Sequence, residues 1–132
     1  MIDLAFLLHS WVRWLIVLVA VLAVAKFAYG WMNKATLDKM DRGLMSGFSG
    51  LIDLQALLGI LLILGMGWNQ AYRIEHAITM IVAAVLAHVP MRWRKDTSAT
   101  ALRNNLFVVV GVVIVMIVGI GVLPGLRWMF RF

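Results

Sequence analysis

Long apolar runs alternate with short polar breaks along this chain, and the runs are too long for the buried helices of a water-soluble domain. Four predicted spans cover residues 2–31, 44–67, 72–90 and 105–123, each near the roughly 20 residues a helix needs to cross hydrocarbon. The breaks are sharply drawn. Residues 31–43 hold Lys34, Asp38, Lys39, Asp41 and Arg42, residues 91–104 hold Arg92, Arg94, Lys95, Asp96 and Arg103, and the connection near Trp68 to Ala71 is tight. Short connections between four spans predict an all-α, up-down-up-down four-helix bundle in the membrane, a single domain over residues 1–132. A cleaved signal peptide is the competing reading of the first run. The start Met1-Ile2-Asp3 lacks a basic leader and the run exceeds a usual signal core, so it is read as a span.

Composition agrees with that pattern: 64% of the 132 residues are hydrophobic and the mean hydropathy is +0.96, leaving too little polar surface to cover a soluble core. Twelve Lys and Arg against six Asp and Glu give a net charge of +6. These cations sit beside apolar spans, which makes them topology signals and argues against nucleic acid as a partner. Lys34, Lys39, Arg42, Arg92, Arg94, Lys95 and Arg103 lie in the first and third connections, against Arg73 near the second. The expected setting is therefore a bacterial inner membrane, with those two connections cytoplasmic and both termini outside. Arg127 and Arg131 in the tail pull the other way. The absence of cysteine excludes disulfides, thiolate metal sites and c-type haem attachment, so any cofactor depends on His, Met or oxygen ligands.

Ionisable residues inside spans are costly and point to function. In an up-down bundle, spans one and three run in parallel, so His9 and His76, each near the start of its span, share one level beneath the outer surface. Neutral imidazole is a usual axial ligand of haem iron, and facing helices build cofactor sites, so this pair is expected to clamp a haem b. Arg13, four residues after His9, and Arg73, three before His76, fall on the faces of their histidines and suit haem propionates. The competing reading makes both histidines interfacial residues in an aromatic belt with Trp11, Trp14, Trp68 and Tyr72.

His88 lies twelve residues beyond His76, about 18 Å deeper by helix rise, and cannot share its metal. It reads as a snorkelling or capping residue, or as a contact for quinone or a second haem. Met80, four residues after His76, reads as packing before axial ligand. Asp53 falls near the middle of span two with Gln55 two residues on, and Arg13 is its expected ion-pair partner. A proton-accepting role beside quinone is the alternative. Glu75 is placed to orient or pair with a histidine or an arginine, Lys26 to snorkel, and a zinc site from His9, Glu75 and His76 would need unusual convergence. No glycine-rich phosphate loop, His-Glu-x-x-His motif or G-x-S-x-G elbow is present.

His9-Ser10, Arg13-Trp14, Asp53-Leu54-Gln55 with Gly59, Glu75-His76 with Met80, and Ala87-His88 run in an order that resembles a group of small bacterial four-span membrane proteins labelled cytochrome b-like. The resemblance spans nearly the whole chain and implies a single membrane bundle with a haem function. Members of that group carry a histidine where this chain has Asp53, which implies that a haem site using span two is lost here while the His9 and His76 pair remains. Two functions stay open. One is a haem b electron carrier exchanging electrons with quinone; the other is a haem-free accessory subunit of a larger respiratory or photosynthetic complex, and the partner left open is such a complex or, as a homo-oligomer, further copies of the chain. A small transporter or channel is the weakest reading, since no inverted repeat or paired broken helices are seen.

Overall fold

A computed structural model describes residues 2–67 and 70–121. Four helices follow one another, α1 (Ile2–Met32), α2 (Lys39–Met66), α3 (Ala71–Ala87) and α4 (Ala99–Gly121), with a 3₁₀ turn (Val89–Trp93) after α3. All four are long and apolar enough to cross a membrane, α3 together with its 3₁₀ extension. They pack as a ring in which α1 touches α2 and α4, and α3 touches α2 and α4. Helices α1 and α3 therefore face each other across the diagonal. Large apolar side chains such as Val21, Leu64, Ile114 and Ile117 point outward, the arrangement expected where the surrounding solvent is lipid. Trp68, Arg127, Arg131, the side chain of Tyr72 and the predicted end of span four at 123 lie outside the described residues.

The helices overrun three of the predicted spans at the basic end, for a physical reason. Hydropathy delimits the stretch that sits in hydrocarbon, whereas helix boundaries are set by capping. Helix α2 begins at Lys39, ahead of residue 44, because Asp38 and Asp41 form a reciprocal capping box: Asp41 N–H donates to Asp38 Oδ1 at 2.9 Å and Asp38 N–H to Asp41 Oδ2 at 2.8 Å. Helix α4 likewise starts at Ala99, after Ser98, whose N–H donates to Asp96 Oδ1 at 2.9 Å. Helix α1 ends in a left-handed Lys34 (φ 54°), with Ala35 N–H donating to Gly30 C=O at 2.8 Å and Lys34 N–H to Trp31 C=O at 3.1 Å. That is a Schellman cap with lysine where glycine is usual. Conversely α3 stops short of the predicted residue 90, closing at Ala87 before the turn that contains Pro90.

The basic end is solid. Phe27, Phe48, Leu102 and Val109 are fully buried there, among Ala23, Met45, Ala87 and Ala101. Lys26, expected to snorkel, instead reaches Asp41 Oδ1 at 2.8 Å and Asp38 Oδ2 at 3.3 Å, binding α1 to the start of α2. Trp93 Nε1 donates to Asn105 Oδ1 at 2.6 Å, and Leu37 N–H donates to Thr97 C=O at 2.8 Å, which ties the two basic connections together. The other half of the bundle is hollow.

Candidate functional site

A cavity of about 400 Å³ occupies the end of the bundle opposite the basic connections, within the usual ~300–1,000 Å³ of small-molecule and cofactor sites. Each helix contributes one stripe to its wall. Phe6, His9, Ser10, Arg13 and Ile16 come from α1 at helical spacing, Gln55, Ala56, Gly59, Leu62 and Ile63 from α2, Arg73, His76, Ala77, Met80 and Ala83 from α3, and Met116 and Ile120 from α4. The hollow follows from residue size, because Ser10, Ala56, Gly59 and Ala77 stand where the basic end has phenylalanine and leucine. Ile60, Met66 and Ile81 line the cavity and are themselves exposed, so it opens sideways between α2 and α3.

His9 and His76 share this cavity, one from each of the diagonal helices. His76 is oriented by α4: its Nδ1 lies 2.8 Å from the Gly119 carbonyl oxygen, which can only accept, so Nδ1 carries the proton and Nε2 keeps the lone pair. This outer hydrogen bond is the kind that fixes ring and tautomer in metal-bound histidines. The approach of α4 depends on glycine at 119. A Cβ there would lie 2.8 Å from Met80 Cε and 3.0 Å from Thr79 Cγ2. On the opposite wall, a Cβ at Gly59 would meet only His9 Cε1, at an ordinary 3.6 Å. His9 Nδ1 and Gln55 Oε1 are buried polar atoms without a hydrogen-bond partner among the described residues.

Arg13 and Arg73 both line the cavity. Arg13 is only 9% exposed, with its guanidinium 5.4 Å from the Trp14 ring centroid. Arg73 Nη1 donates to Met66 C=O at 2.7 Å and to Gly67 C=O at 3.3 Å, so it also closes the end of α2, a role the sequence did not suggest. No aspartate or glutamate is among the described wall residues.

The remaining expectations divide. Asp53 does not pair with Arg13: His88 Nε2 lies 2.9 Å from each Asp53 carboxylate oxygen, on the outer surface of the α2–α3 pair. Rotation decides this. Residues two apart on a helix point about 200° from one another, so with Gln55 turned into the cavity Asp53 must turn away from it. His88 is also the C-cap residue of α3, its backbone N–H donating to Val85 C=O at 3.1 Å. Glu75 is exposed and absent from the cavity wall, its backbone carbonyl accepting from Thr79 Oγ1 at 2.7 Å. A zinc site of His9, Glu75 and His76 finds no support, since among the described residues no three His, Asp or Glu side chains converge on a metal position. The Gly119 carbonyl was invisible to sequence reading because a backbone acceptor has no residue signature. Compared with family models, curated proteins and solved structures, this chain matches none.

Proposed function

We propose that the cavity holds haem b between His9 and His76, making the protein a membrane electron carrier. One observation carries the reading: two imidazoles and two arginines, one of each from α1 and from α3, line a single, largely apolar cavity. A flat apolar macrocycle with a metal centre and two carboxylates matches that set of groups in number, sign and polarity. Haem b bound there would supply reversible one-electron chemistry at its iron. The chain's own part is to fix the ligand rings, to meet the propionates with Arg13 and Arg73, and to exclude water with Phe6, Ile16, Leu62 and Met116. His76 is set for this by its bond to Gly119, which leaves Nε2 as the donor atom. The lateral opening between α2 and α3 suits a guest that arrives through lipid, and quinone is the proposed redox partner. By the positive-inside rule the basic connections face the cytoplasm of a bacterial inner membrane, which puts the cavity near the outer surface.

The purified protein is expected to show a Soret band and an alpha band that sharpens on dithionite reduction, with one haem per chain. His76→Ala should lose this spectrum while keeping native helicity. A colourless but folded preparation, produced with haem supplied in excess, would overturn the proposal and leave the accessory-subunit reading standing.

A further inference from the structure

Asp53 and His88 form a pair that the cavity does not use and that faces the unusual way for a membrane bundle. The carboxylate is 52% and the imidazole 42% exposed. Ionisable groups within spans nearly always turn to the interior or to a water-filled cavity. This pair turns outward at the middle of α2, only two residues, about 3 Å of helix rise, from the depth of the cavity residue Gln55. Its neighbours one turn along each helix, Leu57 on α2 and Val85 on α3, are apolar and exposed. A half-bare polar pair at that depth calls for a polar group to cover it.

The bare atom says which kind. Asp53 accepts the proton on Nε2, so in the neutral imidazole His88 Nδ1 keeps its lone pair and has, among the described residues, no hydrogen-bond partner. An imidazole backed by a carboxylate is a strengthened acceptor, matched to a weakly acidic O–H donor. Exposed Leu57 and Val85 make the surrounding surface apolar, which suits a donor carried on a lipid-soluble molecule. Position narrows the class further. Ile60 and Ile81, at the mouth of the cavity, lie seven residues from Asp53 and His88 respectively, two helical turns or about 10 Å along the same seam. We infer that the Asp53–His88 pair binds the head group of a membrane-dissolved hydroquinone, whose O–H donates to His88 Nδ1 while its ring lies against Leu57 and Val85. This gives the lipid-soluble partner of the proposed carrier a place. It rests on that reading for what is exchanged there and not for the binding itself.

The test uses the full chain in nanodiscs and a diazirine-tailed benzohydroquinone as the probe. Labelling should be saturable, map to the segments holding Asp53–Leu57 and Val85–His88, and be competed by the untagged hydroquinone but not by its dimethyl ether, which has no O–H. The isosteric Asp53→Asn and the larger change His88→Phe should each weaken binding by about tenfold or more, the usual loss for a hydrogen bond supported by a charge. Native helicity and elution volume in Asp53→Asn guard against misfolding. Labelling that does not saturate, equal competition by the ether, or native affinity in both variants overturns the inference. So does a disulfide-linked dimer of Val85→Cys formed in the bilayer, which would put a second copy over the pair. The haem proposal is read separately from the absorption spectrum, so a colourless protein that still binds hydroquinone defeats only that proposal.

Discussion

The orientation of one imidazole depends on the absence of one methyl group. His76 donates to the Gly119 carbonyl only because α4 can approach α3 where residue 119 has no side chain, and Thr79, β-branched and stiff, has little room to yield to a new Cβ. Gly119→Ala is therefore expected to push the helices apart and release His76, read by ¹⁵N NMR as loss of its Nδ1–H tautomer. Gly59→Ala forms the contrast. Its Cβ meets His9 at ordinary contact distance and replaces a poor helix former, so a gain in stability of up to about 1 kcal/mol is expected in a denaturation series. At this scale the expectation that His9 and His76 meet rests on spacing, because helix rise converts residue number into depth, and both line one cavity. The partner of Asp53 was misjudged on depth alone. Its rotation relative to Gln55 was also written in the chain, but which of the two turns inward was not.

Helix ends follow local chemistry, and there the sequence carries more than hydropathy extracts from it. Lys34 occupies a left-handed position that costs a non-glycine residue roughly 1–2 kcal/mol. Lys34→Gly should therefore raise stability by about 1 kcal/mol, measured by unfolding in a fixed detergent. Asp38→Ala should lower it by a similar amount through loss of the α2 cap. That cap has a definite pH dependence. The Asp41 N–H, together with the Asp41 side chain and Lys26, holds the Asp38 carboxyl below its ordinary value. A depressed folded value means that the contribution is complete above the unfolded value and fades as pH falls through the folded one. The difference between native and Asp38→Ala protein should accordingly be constant near neutrality and close only in strong acid. The capping box was readable from Asp38 and Asp41. Neither the ion pair to Lys26 on the preceding helix nor its geometry was.

For the whole molecule, the division into a solid basic half and a hollow opposite half decides where a guest can go. Bulky side chains fill the first, and small ones from three helices coincide in the second. Filling the hollow tests that division: Ala77→Phe should preserve the fold, since the space exists, while abolishing the proposed haem binding, with native helicity and a lost Soret band as the expected pair of results. Topology is testable because the chain has no cysteine of its own. Single cysteines at Lys34 and Lys95 should react with an impermeant thiol reagent from one side of a sealed vesicle, and one at Gln70 from the other. Reaction of Lys34→Cys and Lys95→Cys from opposite sides would contradict the up-down arrangement.

Four spans and their alternation were determined by the chain alone, because hydrocarbon thickness and helix rise are one-dimensional constraints on a linear text. What lies beside what around the ring was decided by the tertiary structure. The diagonal placement of α1 and α3 opens the cavity, the glycine contact aims His76, and the turn of α2 sends Asp53 out to His88. Each of these depends on the rotation and packing of helices against one another, which many side chains settle together and no single stretch of sequence encodes.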